Sequence, residues 1–161
     1  MNNANFAQRK FEEGFNCAES VLFGSVRDKN FDLPLILAAS SGFGGGMGRK
    51  QKVCGAITGA VMAIGVLNSP YNDSAELDVE ILTSSMEIKN RNYQLVHEFI
   101  SHFEKEFGHV NCLELLDNCD LTTPEGSALF KSGKLKQQLC YKYVRYAADY
   151  VENLIKNDNA V

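Results

Sequence analysis

The sequence predicts an all-α fold, a helical bundle in which a glycine-rich loop precedes a central helix of small residues. Apolar residues recur at spacings of three and four along most of the chain, which is the period of an amphipathic helix. No segment predicts a strand convincingly. The chain has 161 residues, of which 45% are hydrophobic. That length suits a single domain over residues 1–161 with a core of its own.

The first helical region ends near Val26. Gly14 is expected to interrupt it, so that it forms a helical hairpin or a kinked helix. Its apolar face consists of Phe11, Phe15, Ala18, Leu22 and Val26. A short helical segment over residues 34–40 follows, with Pro34 suited to its first turn. Residues 42–48 are so rich in glycine that they predict a loop.

Residues 53–67 predict a helix of small side chains, closed by residues 68–70. Gly55, Gly59 and Ala63 recur every four residues, which leaves one side of this helix with almost no bulk. Close helix packing is the favoured interpretation, and access for a ligand is the alternative. Either interpretation places this helix at the centre of the bundle.

The second half of the chain predicts four more helical segments. Residues 74–107 form one long helix or two in tandem, and Gly108 is a natural C-terminal stop. A short helix is expected over residues 112–116, and Pro124 begins another. The last helix carries Leu135, Leu139, Tyr143, Ala147, Val151 and Leu154.

Composition and charge exclude several classes of function. Sixteen Lys and Arg residues against twenty Asp and Glu residues give a net charge of −4, which argues against nucleic-acid binding through a broad basic face. The N-terminus is polar, and the longest apolar run, residues 53–67, is short for a bilayer span. We therefore expect a cytoplasmic protein without a membrane span. In that reducing compartment, scattered cysteines are more often free, catalytic or metal-bound than bridged.

Three of the five cysteines are expected at helix starts. The pattern N-C-x-E occurs at residues 16–19 and 111–114. Asn is a favoured N-cap and Glu three residues later completes a capping box, so Cys17 and Cys112 should each open a helix. Cys54 follows the glycine-rich loop and is expected in a first turn too. A helix N-terminus favours the thiolate, which attacks disulfides and binds metals; the alternative is three small buried hydrophobes.

The other two cysteines differ in their surroundings. Cys140 lies mid-helix near Lys136, and its position alone predicts a core residue. Cys119 is close to Asp117 and Asp120, whose charges oppose a thiolate. The sequence contains no CxxC pair, so neither a thioredoxin-type motif nor a zinc ribbon is supported. Only the tertiary fold can bring the cysteines together.

The glycine-rich segments do not match a phosphate-binding motif. No register supplies a Walker A motif, and no strand precedes the loop as a dinucleotide fingerprint requires. The favoured interpretation is that glycine lets the backbone approach the Cys54 site and donate amides to sulfur, with phosphate or flavin binding as the alternative. The expected cofactor-binding glycines are Gly44, Gly45, Gly46 and Gly55.

The remaining candidates are weaker. His97 and His102 are five residues apart, off the spacing of a helical metal pair. His109 either approaches Cys112 or is exposed. The tyrosines of the last helix suggest packing or a partner surface, and no serine has the context of a hydrolase nucleophile.

The order of the motifs resembles the C_GCAxxG_C_C family, whose members are described as redox-active proteins. The resemblance spans residues 11–154 and rests on NCAESVL at 16–22, GGGMG at 44–48, CGAITG at 54–59, Cys112 and Cys140. It implies that the four characteristic cysteines are Cys17, Cys54, Cys112 and Cys140, and it leaves Cys119 outside.

The resemblance has consequences for cofactors. A similar helical domain in split-Soret cytochromes implies an iron–sulfur centre, whereas the haem-attachment motif CxxCH is absent here. Val53 stands where the family name has glycine. The hypothesis is therefore a redox-active oxidoreductase or electron carrier with an unidentified redox partner protein. Its four cysteines would be catalytic residues that exchange dithiol and disulfide, or metal ligands of an iron–sulfur cluster.

Two alternatives remain at this stage. One is a structural zinc-binding or accessory binding protein without redox turnover, because zinc readily takes four thiolates. The other is a helical scaffold with incidental cysteines. A homodimer is compatible with the aromatic residues of the last helix.

Overall fold

Helices make up nearly all of the regular structure in the part of the chain that is described. The computed structural model describes residues 1–68 and 79–158. The helices are α1 (Asn3–Glu13), α2 (Cys17–Val26), α3 (Leu33–Ser40), α4 (Gly55–Leu67), α5 (Val79–Phe107), α6 (Cys112–Leu115), α7 (Pro124–Ser132) and α8 (Tyr141–Asp158). A 3-10 turn (Ser41–Phe43) follows α3, and a π-helical segment (Lys136–Cys140) precedes α8. The described residues form no strand, which confirms the predicted all-α class.

The first helical region is a pair of helices that Gly14 separates. Gly14 has φ of 112°, a left-handed conformation that favours glycine after a helix. Asn16 then caps α2, because its side chain accepts hydrogen bonds from the amides of Ala18 and Glu19 at 2.9 and 3.0 Å. The Glu19 carboxylate accepts from the Asn16 amide at 2.7 Å. The predicted capping box is therefore formed, and it places Cys17 at the first position of α2.

Helix α4 lies at the centre of the bundle. It packs most extensively against α2 and also contacts α8 and α5. A Cβ atom on Gly59 would lie 2.5 Å from the carbonyl oxygen of Ala18, so the small-residue side of α4 serves close packing at this position. The largest fully buried side chains of the core are Phe99, Phe103, Leu22, Ile57 and Ile64.

The start of α4 differs from the prediction. Cys54 is the N-cap residue of α4 and lies outside the first turn. Its amide donates to the carbonyl of Val110 at 2.9 Å, and Val53 pairs with Asn111 in an isolated antiparallel bridge. This pairing with a distant segment holds residues 53 and 54 in an extended conformation, so α4 begins at Gly55 instead of residue 53.

The second predicted capping box is wrong. The Asn111 side chain makes no capping hydrogen bond, and its Nδ2 lies 3.5 Å from the Glu114 carboxylate instead. Helix α6 spans four residues, and its N-terminus is tied by backbone hydrogen bonds to residues 51 and 52. Cys112 nevertheless occupies the first helical position, as expected.

Two further predictions concern helix lengths. Helix α5 is one continuous helix of 29 residues from Val79, whereas the predicted start at residues 74–78 and the predicted closure of α4 at Ser69 and Pro70 lie outside the described residues. The last helical run begins with π-helical geometry rather than as one α-helix.

In the described residues, no helix combines the length and apolar character needed to cross a membrane.

Candidate functional site

Four of the five cysteines line one cavity of about 520 Å³. They come from four separate segments: Cys17 from the start of α2, Cys54 from the N-cap of α4, Cys112 from the start of α6 and Cys140 from the end of the π-helical segment. All are free thiols. The fold therefore brings together the four cysteines that the sequence resemblance groups.

Cys119 does not line this cavity. It is buried in a small cluster with Cys112 and Leu116, and its thiol donates to the carbonyl of Gly126 at 3.2 Å. Among the other weak candidates, His109 is exposed and does not line the cavity either. Neither side chain is therefore part of the cavity lining.

Backbone hydrogen bonds join the segments that carry Cys54 and Cys112. The Cys112 amide donates to the carbonyl of Lys52 at 2.7 Å, and the Leu113 amide donates to that of Gln51 at 3.2 Å. Together with the bond from Cys54 to Val110, these contacts form a short ladder between the loop and the start of α6. The ladder sets the position of both cysteines relative to each other.

Gln51 ties the loop to a third segment, and the sequence contains no signal for this role. Gln51 is buried, with only 4% of the residue exposed to solvent. Its amide nitrogen donates to the carbonyl of Cys119 at 2.8 Å, and its amide oxygen accepts from the amide of Leu121 at 2.7 Å. Leu121 lines the cavity, so Gln51 supports one cavity wall from behind.

The glycine-rich loop turns in the left-handed region and closes tightly around the cysteines. Residues 45–49 all have φ between 62° and 69°, and a non-glycine residue in such a conformation costs about 1 kcal/mol. A Cβ on Gly46 would lie 2.7 Å from the Cβ of Cys112, and one on Gly55 would overlap the Cys17 sulfur. Gly44 and Gly45 line the cavity themselves.

Amides surround the Cys17 sulfur. Burial raises the pKa of the Cys17 thiol, and hydrogen bonds from the backbone of Gly45, Ala18 and Gly55 lower it without reversing the shift. The glycine amides reach Cys17, whereas the amide that hydrogen-bonds to the Cys54 sulfur is that of Ala56. The amides at the helix starts therefore favour the Cys17 thiolate, as expected, but the loss of solvation outweighs them and leaves the pKa above its ordinary value.

The other three cavity thiols also have raised pKa values. Burial raises the pKa of Cys54 well above its ordinary value, and the neighbouring sulfurs of Cys17, Cys112 and Cys140 add to the shift. Burial raises the pKa of Cys112 to about 12. Burial raises the pKa of Cys140, the sulfurs of Cys17 and Cys112 add to the shift, and Lys136 opposes it. The free thiols are thus protonated at neutral pH, and they influence one another electrostatically.

Two cations line the cavity. Lys136 donates from Nζ to the carbonyl of Phe11 at 2.6 Å, and Nζ lies 4.1 Å from the centre of the Phe11 ring. Arg49 is the second cation. The cavity lining includes no Asp or Glu. Lys136 precedes Cys140 by four residues, a spacing that places both on one side of a helix, but nothing in the sequence singles out Arg49.

Tyr143 is a further lining residue that sequence reasoning missed. It follows Cys140 by three residues, so helical spacing could have placed it on the same side. Its hydroxyl donates to the carbonyl of Leu115 at 2.8 Å. Burial raises the pKa of this phenol to about 12, with Cys140 adding to the shift. Tyr143 therefore forms a neutral, hydrogen-bonded part of the wall.

The four cavity cysteines can be compared with the sites in which cysteine thiolates bind metals. Within the described residues, no three Cys, His, Asp or Glu side chains form a group that could hold one metal ion. Tetrahedral zinc would need its sulfur ligands about 2.3 Å from a single ion. The four cavity sulfurs of the described structure do not form such a single-ion group, although they line the same cavity.

Comparison with known proteins gives one family-level match. A family model described as "Putative redox-active protein (C_GCAxxG_C_C)" matches residues 15–154. Neither the curated proteins nor the solved structures gave a match. The family match includes the glycine-rich loop and all four cavity cysteines, and it covers most of the sequence. The chain belongs to the C_GCAxxG_C_C family.

Proposed function

We propose that this chain is an electron carrier whose redox centre is an iron–sulfur cluster held by Cys17, Cys54, Cys112 and Cys140. The observation that carries the proposal is the cavity that these four cysteines share while Cys119 lies outside it. Their segments are far apart in the chain, and cysteine thiolates are the usual ligands of such clusters. The family description supports redox activity in general.

The protonation of the free thiols favours a ligand role. Thiol–disulfide exchange requires a thiolate nucleophile, and burial raises the pKa of all four cavity thiols. Metal binding displaces thiol protons, so a metal can stabilise thiolates that burial alone disfavours. Buried thiols with raised pKa values therefore suit a permanently bound group better than repeated attack on disulfides.

The surrounding residues would offset the negative charge of four thiolates. The backbone amides of Gly45, Ala18 and Gly55 hydrogen-bond to the Cys17 sulfur, and Lys136 interacts favourably with a Cys140 thiolate. Such hydrogen bonds, together with burial, tune the reduction potential of a cluster. When bound, the cluster would supply one-electron transfer, and the protein would position it and limit its contact with water.

The proposal is tested by purifying the full chain without oxygen and measuring iron, acid-labile sulfide, zinc and free thiols. We expect iron and sulfide in comparable amounts, with visible absorbance that bleaches on reduction. Stoichiometric zinc without visible absorbance would instead identify a structural zinc site. Two reversible disulfides with little iron would identify dithiol–disulfide exchange, and either result would overturn the cluster.

A further inference from the structure

We propose that the same cavity binds a small organic anion with an apolar or aromatic body, which Arg49 and Lys136 hold beside the cysteine sulfurs. This inference rests on the proposed function and deepens it, because it names the class of molecule that reaches the redox centre. It depends on the size, the apolar walls and the uneven charge of the cavity.

The size and the walls suit an organic molecule. The volume of about 520 Å³ lies within the range of small-molecule sites, which are also mostly apolar with a few polar groups. Apolar walls favour a molecule that can bury carbon over a fully hydrated inorganic ion. The apolar lining residues are Phe11, Ala56, Leu116, Leu121, Phe130 and Val144.

The charge of the cavity is opposite to that of the whole chain. The net charge of the chain is −4, yet the charged residues of the cavity lining are Arg49 and Lys136, with no acidic residue among them. Cations without acidic neighbours in a cavity attract anions and discriminate against cations. The uneven distribution therefore predicts selection of a negatively charged ligand.

Both cations retain donors for a ligand. In the described part of the chain, no carboxylate forms an ion pair with Arg49 or Lys136. The Arg49 guanidinium has a planar fork that matches a carboxylate. Lys136 uses one donor on the carbonyl of Phe11, and an ammonium group has three. The contact with Phe11 also restricts the Lys136 amine, which reduces the entropy lost on binding.

The test compares two thiol reagents of similar shape and different charge. Both are aromatic disulfides: dithiobis(nitrobenzoate) is a dianion and dithiodipyridine is uncharged. In each reaction a protein thiolate attacks the reagent, a mixed disulfide forms, and the released aromatic thiolate is measured by its absorbance. The protein is the full-length Cys119→Ser chain, reduced and freed of metal by chelation, so that its remaining thiols all line the cavity.

The measured quantity is the rate with the anionic reagent divided by the rate with the neutral reagent. We expect Arg49→Gln and Lys136→Gln each to lower this ratio by about fivefold or more at low salt, since each removes one attracting charge. Arg49→Lys keeps the positive charge, so it should retain most of the rate ratio. Lys105→Gln is the matched control, because Lys105 is an exposed cation on α5, which contributes no residue to the cavity lining.

Two results would overturn the inference. If Arg49→Gln slows both reagents equally, the cation acts on thiol ionisation rather than on an incoming anion. If neither variant changes the ratio, the cavity does not select by charge. Iron and sulfide are measured in the same preparations before chelation. If the variants lower the ratio but the preparations contain no iron, the cluster is contradicted and the anion site is supported. If the preparations contain iron but neither variant changes the ratio, the anion site is contradicted and the cluster is supported.

Discussion

Gly55 lies so close to Cys17 that a Cβ atom at Gly55 would overlap the Cys17 sulfur. Gly55 is the first residue of α4 and Cys17 is the first residue of α2, so the contact joins two helix N-termini. The missing side chain lets the Gly55 amide hydrogen-bond to that sulfur. The close packing of α2 on α4 therefore also shapes the site.

Replacing Gly55 by alanine should impair the site more than the fold. The added methyl group must displace the Cys17 side chain, and a carbonyl oxygen of the adjacent turn, that of Phe43, would lie 3.1 Å away. We expect Gly55→Ala to lower the iron bound per chain at least severalfold while the helix content by circular dichroism stays near that of the wild type. Iron analysis and circular dichroism of the same sample check this.

Gly65→Ala is the matched control for that change. Gly65 lies on the same helix, but no atom lies within 4 Å of the position its Cβ would take. Alanine is a better helix former than glycine by about 1 kcal/mol, so this variant should bind iron normally and unfold at equal or higher urea concentration. Equal iron loss in both variants would show that contact with Cys17 is not the cause.

Cys17→Ser should abolish the redox behaviour, whereas Cys119→Ser should leave it intact. Cys17 lines the cavity, and three neighbouring amides hydrogen-bond to its sulfur, so its loss removes a proposed ligand. Cys119 lies outside the cavity, and a serine hydroxyl can keep the bond to Gly126. We expect Cys17→Ser to abolish the visible absorbance and its reductive bleaching, and Cys119→Ser to preserve both. Similar losses in the two variants would contradict the four-cysteine assignment.

Gln51→Ala should destabilise the chain by about 2 kcal/mol, because it leaves one buried and one partly buried backbone group without partners. The groups are the carbonyl of Cys119 and the amide of Leu121. Gln51 has φ of 53°, and alanine retains a Cβ, so the backbone cost is unchanged. Urea denaturation provides the measurement. Gln94→Ala, at an exposed glutamine bonded to Glu98, should change the free energy of unfolding by less than about 0.5 kcal/mol.

The metal-free chain should lose stability at alkaline pH. Burial raises the pKa of Cys112 to about 12, while an unfolded cysteine has a pKa of about 8.5. Between these values the unfolded chain has released a proton that the native chain keeps, so the free energy of unfolding falls as pH rises; below this window the Cys112 contribution is constant. Urea denaturation at a series of pH values should show a shallower fall for Cys112→Ser. An identical slope in the variant would contradict the raised pKa.

Sequence reasoning was most accurate where structure depends on local spacing. The capping box around Cys17, the left-handed stop at Gly14 and the small-residue side of α4 all follow from residues within a turn or two of each other. The same reasoning failed at Asn111 and Cys54, where hydrogen bonds between distant segments determine the backbone. A local sequence pattern does not predict which distant segment will form such hydrogen bonds.

The sequence by itself determined the helical class, the order of the elements and the family to which the chain belongs, because periodicity and motif order are linear properties. The tertiary structure decided that four cysteines share one cavity while Cys119 does not, and that Arg49, Lys136 and Tyr143 join them. It also decided that burial outweighs the helix-start amides in the pKa of the Cys17 thiol. Burial and long-range contacts arise only when distant segments pack together, so the solvation of a sulfur cannot be inferred from its neighbours in the chain.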